Sequence, residues 1–340
     1  MTNDSVYILA IESSCDDTAA AVLKNDKVLS NLVARQSIHE EYGGVVPELA
    51  SRAHQQNIVP VVDMALKKAG INKNQLHGIA FTQGPGLMGS LLVGSSFAKS
   101  FSMALGIPLL AVNHMQAHIL AHFIDEEGFD KPTFPFLALT ISGGHTHIVK
   151  VSGFFEMEII GETTDDAVGE AFDKTAKILG LPYPGGPLID QFAKEGNPKA
   201  FPFTKPKVDG LNFSFSGLKT QILYFVQKNV AINPNFIEEN KADICASVQN
   251  IIIKILMDKL KLAVEETGIN QIAIGGGVSA NSGIRNTLKE AEAKYGWKTY
   301  IPKFEYTTDN AAMIGIVGYQ KYLHHQFENA SVVSKARIEF

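Results

Sequence analysis

The sequence predicts an α/β fold with an internally repeated strand pattern. Apolar strand-like runs alternate with segments of helical periodicity along most of the chain. A strand–turn–strand pattern at Val6–Leu23, VYILAIESSCDDTAAAVL, returns at Phe136–Val151, FLALTISGGHTHIVKV. Placing Leu9 on Leu137 also places Ala10 on Ala138, Ser14 on Ser142 and Thr18 on Thr146. That coincidence points to a duplicated domain, with two unrelated hairpins as the competing reading. Of the 340 residues, 45% are hydrophobic and 19% charged, enough to bury a sizeable core. At ~150 residues per domain, the length suggests about two domains.

Val6–Leu23 reads as a hairpin of two core strands. Pro47–Gly70 carries Val59, Val62, Ala65, Leu66 and Ala69 at helical spacing and ends at a glycine. Ile79–Thr82 is a short strand, and Gly84–Gly86 turns it into a helix over Met88–Leu105 that Gly106 and Pro108 stop. Gly89, Gly94, Ser95, Ala98 and Ser102 keep part of that helix small, a surface suited to close contact with a partner's helix. Leu109–Val112 reads as a strand and His114–Phe123 as a helix. Further helices are expected at Ala167–Leu179, Ala242–Glu266 and Asn310–Tyr322. A strand at Gln271–Ile274 runs into Gly275-Gly276-Gly277. Gly180–Gly217, crowded with Gly, Pro and Lys, reads as ordered but irregular.

No apolar run approaches the ~18–20 residues of a membrane span. Residues 1–5 are polar, with no basic and apolar leader pattern, and Cys15 and Cys245 alone make no disulfide framework. These features point to the cytoplasm, with no membrane partner. With a net charge of −5, a nucleic-acid partner would need a local basic patch. Lys194–Lys219 offers one: five lysines stand against Glu195 and Asp209, with Phe201, Phe203, Phe213 and Phe215 interleaved. Lysines on phosphates and aromatics on unstacked bases are one way of holding RNA. Inward-packed Phe with solvated lysines is the plainer reading.

Three turns after apolar strands have the small residues that let backbone N–H groups approach an anion: Glu12–Thr18, Ser142–Thr146 and Gly275–Asn281. Together they suggest a nucleotide held between two like domains. Neither a P-loop nor a GxGxxG is present. His114 and His118 in NHMQAH stand four residues apart, so one helix face would carry both, and His122 continues the stripe. They suit one metal ion or a satisfied histidine stripe; Met115 occupies the place of a metalloprotease glutamate. Asp309 is one of many carboxylates that could complete a site. Asp16 and Asp17 are helix-cap or solvated residues, unless a metal or a catalytic task justifies them beside a phosphate. Asp173 and Asp190 could accept from ribose hydroxyls or simply be solvated. Cys15 has no basic neighbour to activate it.

The motifs IESSCDDT, YGGVVPELASRAH, GPGLMGSL, NHMQAH, SGGHTH, GEAFDKTAKILGLPYPGG, FSFSGLKT, GGGVSANSGIR and TTDNAAMI follow one another through about Val6–Tyr322. In this the chain resembles the tRNA N6-adenosine threonylcarbamoyltransferase family, bacterial type, whose members were once described as glycoprotein endopeptidases. The resemblance implies the actin/Hsp70/sugar-kinase (ASKHA) fold, two related RNase H-like lobes around a nucleotide cleft. Residues 1–112, joined by a C-terminal helix at 310–325, would form the first lobe, and 113–309 the second. It implies transfer of threonylcarbamoyl from threonylcarbamoyl-AMP to N6 of the adenosine following the anticodon, in tRNAs reading codons that start with A. It implies one divalent or ferric metal ion, iron first and zinc second, on His114, His118 and Asp309. Substrate contacts would fall on Thr140, Ile141, Ser142, Gly143, Gly144, Asp173, Gly186, Asp190 and Asn281, with Asp16 and Asp17 near the reacting group. Implied partners are tRNA, a TsaB-like paralogue and a TsaE-like ATPase. His147 stands where relatives frequently carry Gln. A small-molecule kinase on the same fold is the main alternative, and a zinc endopeptidase a weaker one.

Overall fold

The computed structural model describes residues 5–338; residues 1–4 of the polar N-terminal stretch lie outside them. The chain begins β1 (Tyr7–Glu12), β2 (Thr18–Lys24), β3 (Lys27–Ala34), α1 (Ile38–Tyr42), α2 (Pro47–Ala69). It continues β4 (Gly78–Gly84), α3 (Met88–Leu105), β5 (Leu109–Asn113), α4 (His114–Leu120). Next come β6 (Phe136–Ile141), β7 (Thr146–Gly153), β8 (Glu156–Glu162), α5 (Val168–Ile178), α6 (Gly186–Ala193), α7 (Ser216–Val230), α8 (Phe236–Thr267). It closes with β9 (Gln271–Gly275), α9 (Ser282–Tyr295), β10 (Lys298–Tyr300) and α10 (Ala311–Leu323). The α/β expectation holds. No described helix is long and apolar enough to cross a membrane.

Two compact units divide the chain: residues 1–131 with 302–340, and 132–301. The first holds a five-stranded sheet in the order β3-β2-β1-β4-β5. β1 runs antiparallel to β2, with Glu12 opposite Ala19, and parallel to β4. Alternate residues of β1 serve opposite faces: Leu9 and Ile11 join the core under α2 and α3, while Ile8 meets α10 at Gly318. Both faces are therefore covered, which explains the nearly unbroken apolar run YILAI. Glu12 ends that run in step with Ile8, on the α10 side.

The second unit repeats the plan, in the order β8-β7-β6-β9-β10. β6 is antiparallel to β7 and parallel to β9. The alignment of Leu9 with Leu137 sets Glu12 on Thr140 and Ala19 on His147, and Thr140 does pair with His147. Order, direction and register thus repeat together.

The expected boundaries at 112/113 and 309/310 fall elsewhere. Residues 113–131 and 302–309 belong to the first unit, because α4 continues straight from β5 and packs against α10. Glu126 reinforces this by accepting from the Tyr306 hydroxyl at 2.6 Å and from Lys303 at 3.2 Å.

Most small residues of α3 face inward: Gly94, Ser95, Ala98 and Ser102 are buried, and Gly89 is exposed beside α2. A side chain at Gly89 would strike Ser51 of α2, one at Gly94 would strike Ser13, and Ala98 is fully buried. Met88, Leu92 and Met103 are the exposed large apolar residues of α3, with Val59 and Met64 exposed on α2. The region 180–217, expected to be irregular, contains α6. Phe213 and Phe215 are wholly buried in the second unit's core, and Phe201 and Phe203 pack against it. Lys205 is paired with Asp258.

Candidate metal centre

Asn113 starts α4 by accepting from Met115 N (2.8 Å) and Gln116 N (3.3 Å), which sets His114 in the first turn and His118 one turn on. Asn310 caps α10 in the same way, accepting from Met313 N at 3.0 Å, and holds Asp309 just ahead of the helix. The α10 N-terminus favours a carboxylate there. His114 Nε2 and His118 Nε2 lie 3.3 and 3.4 Å from Asp309 Oδ1. One ligand atom from each of the three residues falls within 4.8 Å of the others. His122 follows in a short 3-10 turn, buried but outside this group. All three converging residues belong to the first unit, so the group does not depend on the second.

Glu12 opens the Glu12–Thr18 turn; the sequence alone points to no role for it beyond that turn, yet it organises the group. Fully buried, it accepts from His114 Nδ1 at 2.9 Å, from the Thr82 hydroxyl at 2.5 Å and from Ser14 N at 2.5 Å. With Nδ1 donating to Glu12, Nε2 is the nitrogen that faces Asp309 and His118, open to a cation that displaces its proton. The available signal was a carboxylate closing a wholly apolar strand, in register with its inward face.

Burial opposes charge on Glu12 and Asp309, but the His114 imidazole beside them holds both below the ordinary carboxylate range. Burial alone would depress His114; Glu12 and Asp309 outweigh it and raise it well above the usual histidine value. His118 is lowered by burial; its Nδ1 has no hydrogen-bond partner, and its Nε2 has only the 3.4 Å approach of Asp309 Oδ1. Two imidazoles and a carboxylate, with a buried His118 Nε2 that has no neighbour but Asp309, fit a cation that keeps open coordination positions.

The turn after β1 carries Asp16 and Asp17, both half-buried. Burial, and then Asp16, push Asp17 up to about 7. The same burial drives the Cys15 thiol well above its ordinary value, which leaves it no nucleophile.

In the second unit, Asp173 Oδ1 accepts from Gly185 N (2.8 Å) and Gly186 N (3.2 Å) and anchors the start of α6. Asp190 accepts from Ser282 N and the Ser282 hydroxyl (2.8 Å), and Asn281 caps α9 while donating to Gln249 at 2.7 Å. These residues are thus committed to shaping loops, and the solvated reading of Asp173 and Asp190 fails. Thr140 Oγ1 and Ser279 Oγ are buried with no hydrogen bond. Beside Gly143 and Gly144 there is open space, so their backbone remains approachable. Gly276, at φ +89°, passes so near the Ile141 carbonyl that a Cβ would lie 2.5 Å from that oxygen.

A family model described as TsaD, tRNA N6-adenosine threonylcarbamoyltransferase, matches residues 27–316. A Christiangramia forsetii protein of that name is 71% identical over 340 residues, covering 100% of both chains. Its Cytophaga hutchinsonii namesake is 59% identical over 98% of this chain and 96% of its own. Among solved structures, component A of (R)-2-hydroxyglutaryl-CoA dehydratase from Acidaminococcus fermentans covers 94% of this chain and 99% of its own, with a TM-score of 0.53 at 15% identity. That last likeness is one of fold, and it agrees with the expected actin/Hsp70/sugar-kinase class.

Proposed function

The chain belongs to the tRNA N6-adenosine threonylcarbamoyltransferase family, and from that premise we propose how its residues divide the work. It is a transferase that places threonylcarbamoyl on N6 of adenosine in tRNA; full-length identity of 71% carries that conclusion. The finer reading is ours. The donor is threonylcarbamoyl-AMP, and the acceptor is the adenosine following the anticodon in tRNAs reading codons that start with A. The setting is the cytoplasm, with a TsaB-like paralogue and a TsaE-like ATPase as partners.

His114, His118 and Asp309 hold one metal ion, iron in our assignment and zinc as its competitor. The observation behind this is the convergence of His114, His118 and Asp309, with His118 Nε2 buried and facing only Asp309. When bound, the ion supplies Lewis acidity toward phosphate oxygen, which makes adenylate a better leaving group. Glu12 keeps His114 in its ligating tautomer. On the second unit, the Thr140–Gly144 turn and the loops shaped by Asp173, Gly186, Asp190 and Asn281 receive the adenylate. The N6 amine attacks the carbamoyl carbon; a C–N bond forms, the C–O bond to adenylate breaks, and the amine loses one proton. Asp17 takes that proton, because a carboxylate titrating near 7 is matched to the task at neutral pH. Asp16 orients the amine.

The test is nucleoside analysis of tRNA after incubation with threonylcarbamoyl-AMP, protein and partners. Modified adenosine from the wild type, and none from Asp309→Ala, is the expected result. Phosphoryl transfer to a small molecule with unmodified tRNA would favour the kinase reading.

A further inference from the structure

His54 is the polar member of the buried face of α2, among Ala50, Ile58, Val61, Val62 and Ala65, and is itself 0% exposed. Its ring reaches the turn after β1 from below. Nε2 lies 2.9 Å from the Cys15 carbonyl and Nδ1 lies 2.8 Å from the Thr18 hydroxyl. A carbonyl only accepts, so Nε2 carries the proton; Nδ1 then accepts, and Thr18 donates. The two residues between these anchors are Asp16 and Asp17. One imidazole therefore closes the arc that presents the acidic pair.

We propose that His54 is a positioning residue for the transfer reaction, holding the Asp16–Asp17 arc through its simultaneous bonds to the Cys15 carbonyl and the Thr18 hydroxyl. This rests on the reading of that pair as catalytic. Other bonds brace the same turn: Ser90 Oγ donates to the Cys15 carbonyl at 3.0 Å, and Leu87 N to the Ser14 carbonyl at 2.7 Å. Those bonds hold only the residues ahead of the pair. His54 alone, among the described hydrogen bonds, spans both sides of it. A leucine of similar size would pack better on an apolar helix face and is not there, which suits a ring kept for its two nitrogens.

Loosened by even ~1 Å, a reacting group can lose about a hundredfold in rate. His54→Leu should therefore lower kcat by roughly 10- to 100-fold, with KM for threonylcarbamoyl-AMP and tRNA and the metal content as in wild type. His54→Gln keeps a donor for the Cys15 carbonyl and should recover part of that loss. Thr18→Val keeps shape while removing the hydroxyl, and it decides the matter if His54→Leu does not fold; it too should lower kcat alone. Wild-type kcat in a folded His54→Leu or in Thr18→Val overturns the proposal. So does a joint change of kcat, KM and metal, or no gain from His54→Gln. Asp16→Asn and Asp17→Asn separate the premises: if both retain full kcat, the reading of the acidic pair falls. If they lose it while His54→Leu does not, only the role of His54 falls.

Discussion

At the residue scale, the metal group makes a sharp division between neighbours on one stripe. His114→Ala, His118→Ala and Asp309→Ala should each lose most bound metal and most transfer activity, while His122→Ala retains both. Elemental analysis beside the tRNA assay measures this; metal loss in His122→Ala with retention in Asp309→Ala would reassign the third ligand. Glu12→Gln should weaken metal binding by about 10- to 100-fold, as loss of an orienting partner does. Asp17, raised to about 7 by burial and by Asp16, gives a pH test. As base it works deprotonated, so kcat should rise through pH 7 and level off above it; Asp17→Asn should abolish that limb along with most of the rate. His147 runs the other way. Burial, then His145, lower it to about 4. Folding therefore excludes a proton that the unfolded chain takes up near 6.5; the stability this histidine preserves is complete above that value and falls as pH drops toward 4. Urea midpoints of His147→Gln should fall less between about pH 7 and about pH 4.5 than those of the wild type; equal slopes would refute this. The HxxxH pair was legible in sequence because helical spacing is local. Glu12 was not, since its partner stands in another element and only three-dimensional packing joins them.

At the element scale, the termini marked by proline and glycine were legible. α2 starts at Pro47 and stops at Gly70 (φ +68°), and α3 stops at Gly106 (φ +65°). α6 was hidden because its eight residues sit between glycine-rich and lysine-rich loops that mask any periodicity. The small stripe on α3 does mark a close-contact surface, but composition does not say which surface it meets. Since Gly94 abuts Ser13 and Ala98 is wholly buried, a bulky residue at either should destabilise the fold by about 1–3 kcal/mol through overpacking. Association with the proposed TsaB-like partner should instead respond to the exposed pair Leu92 and Met103. Leu92→Asp with Met103→Asp should prevent co-elution and leave the thermal midpoint near wild type. If Gly94→Val abolished co-elution at unchanged midpoint, the inward assignment of the stripe would be wrong.

Over the whole molecule, the duplication was legible because each hairpin is a continuous stretch of sequence, and register repeats with it. The division into units was not, because α10 returns to β1, β2 and β4 after the entire second unit has intervened. Basic charge is likewise distributed. Lys199 and Lys207 are exposed and Lys219 partly so, whereas Lys205 is tied to Asp258. Charge reversal of Lys199, Lys207 and Lys219 should weaken tRNA binding and lower the slope of log K against log salt by ~0.7–0.9 for each phosphate no longer neutralised. Reversal of Lys205 should do less. Unchanged affinity and slope in filter binding would make the segment a solvated loop. The discontinuity of the first unit also has a consequence during synthesis. His114 and His118 leave the ribosome early, but Asp309 follows only after roughly 190 further residues, about 10–40 s at ~5–20 residues per second. On the proposed ligand assignment, the nascent chain would carry an incomplete set throughout that interval, and stable metal loading would wait until translation is nearly finished.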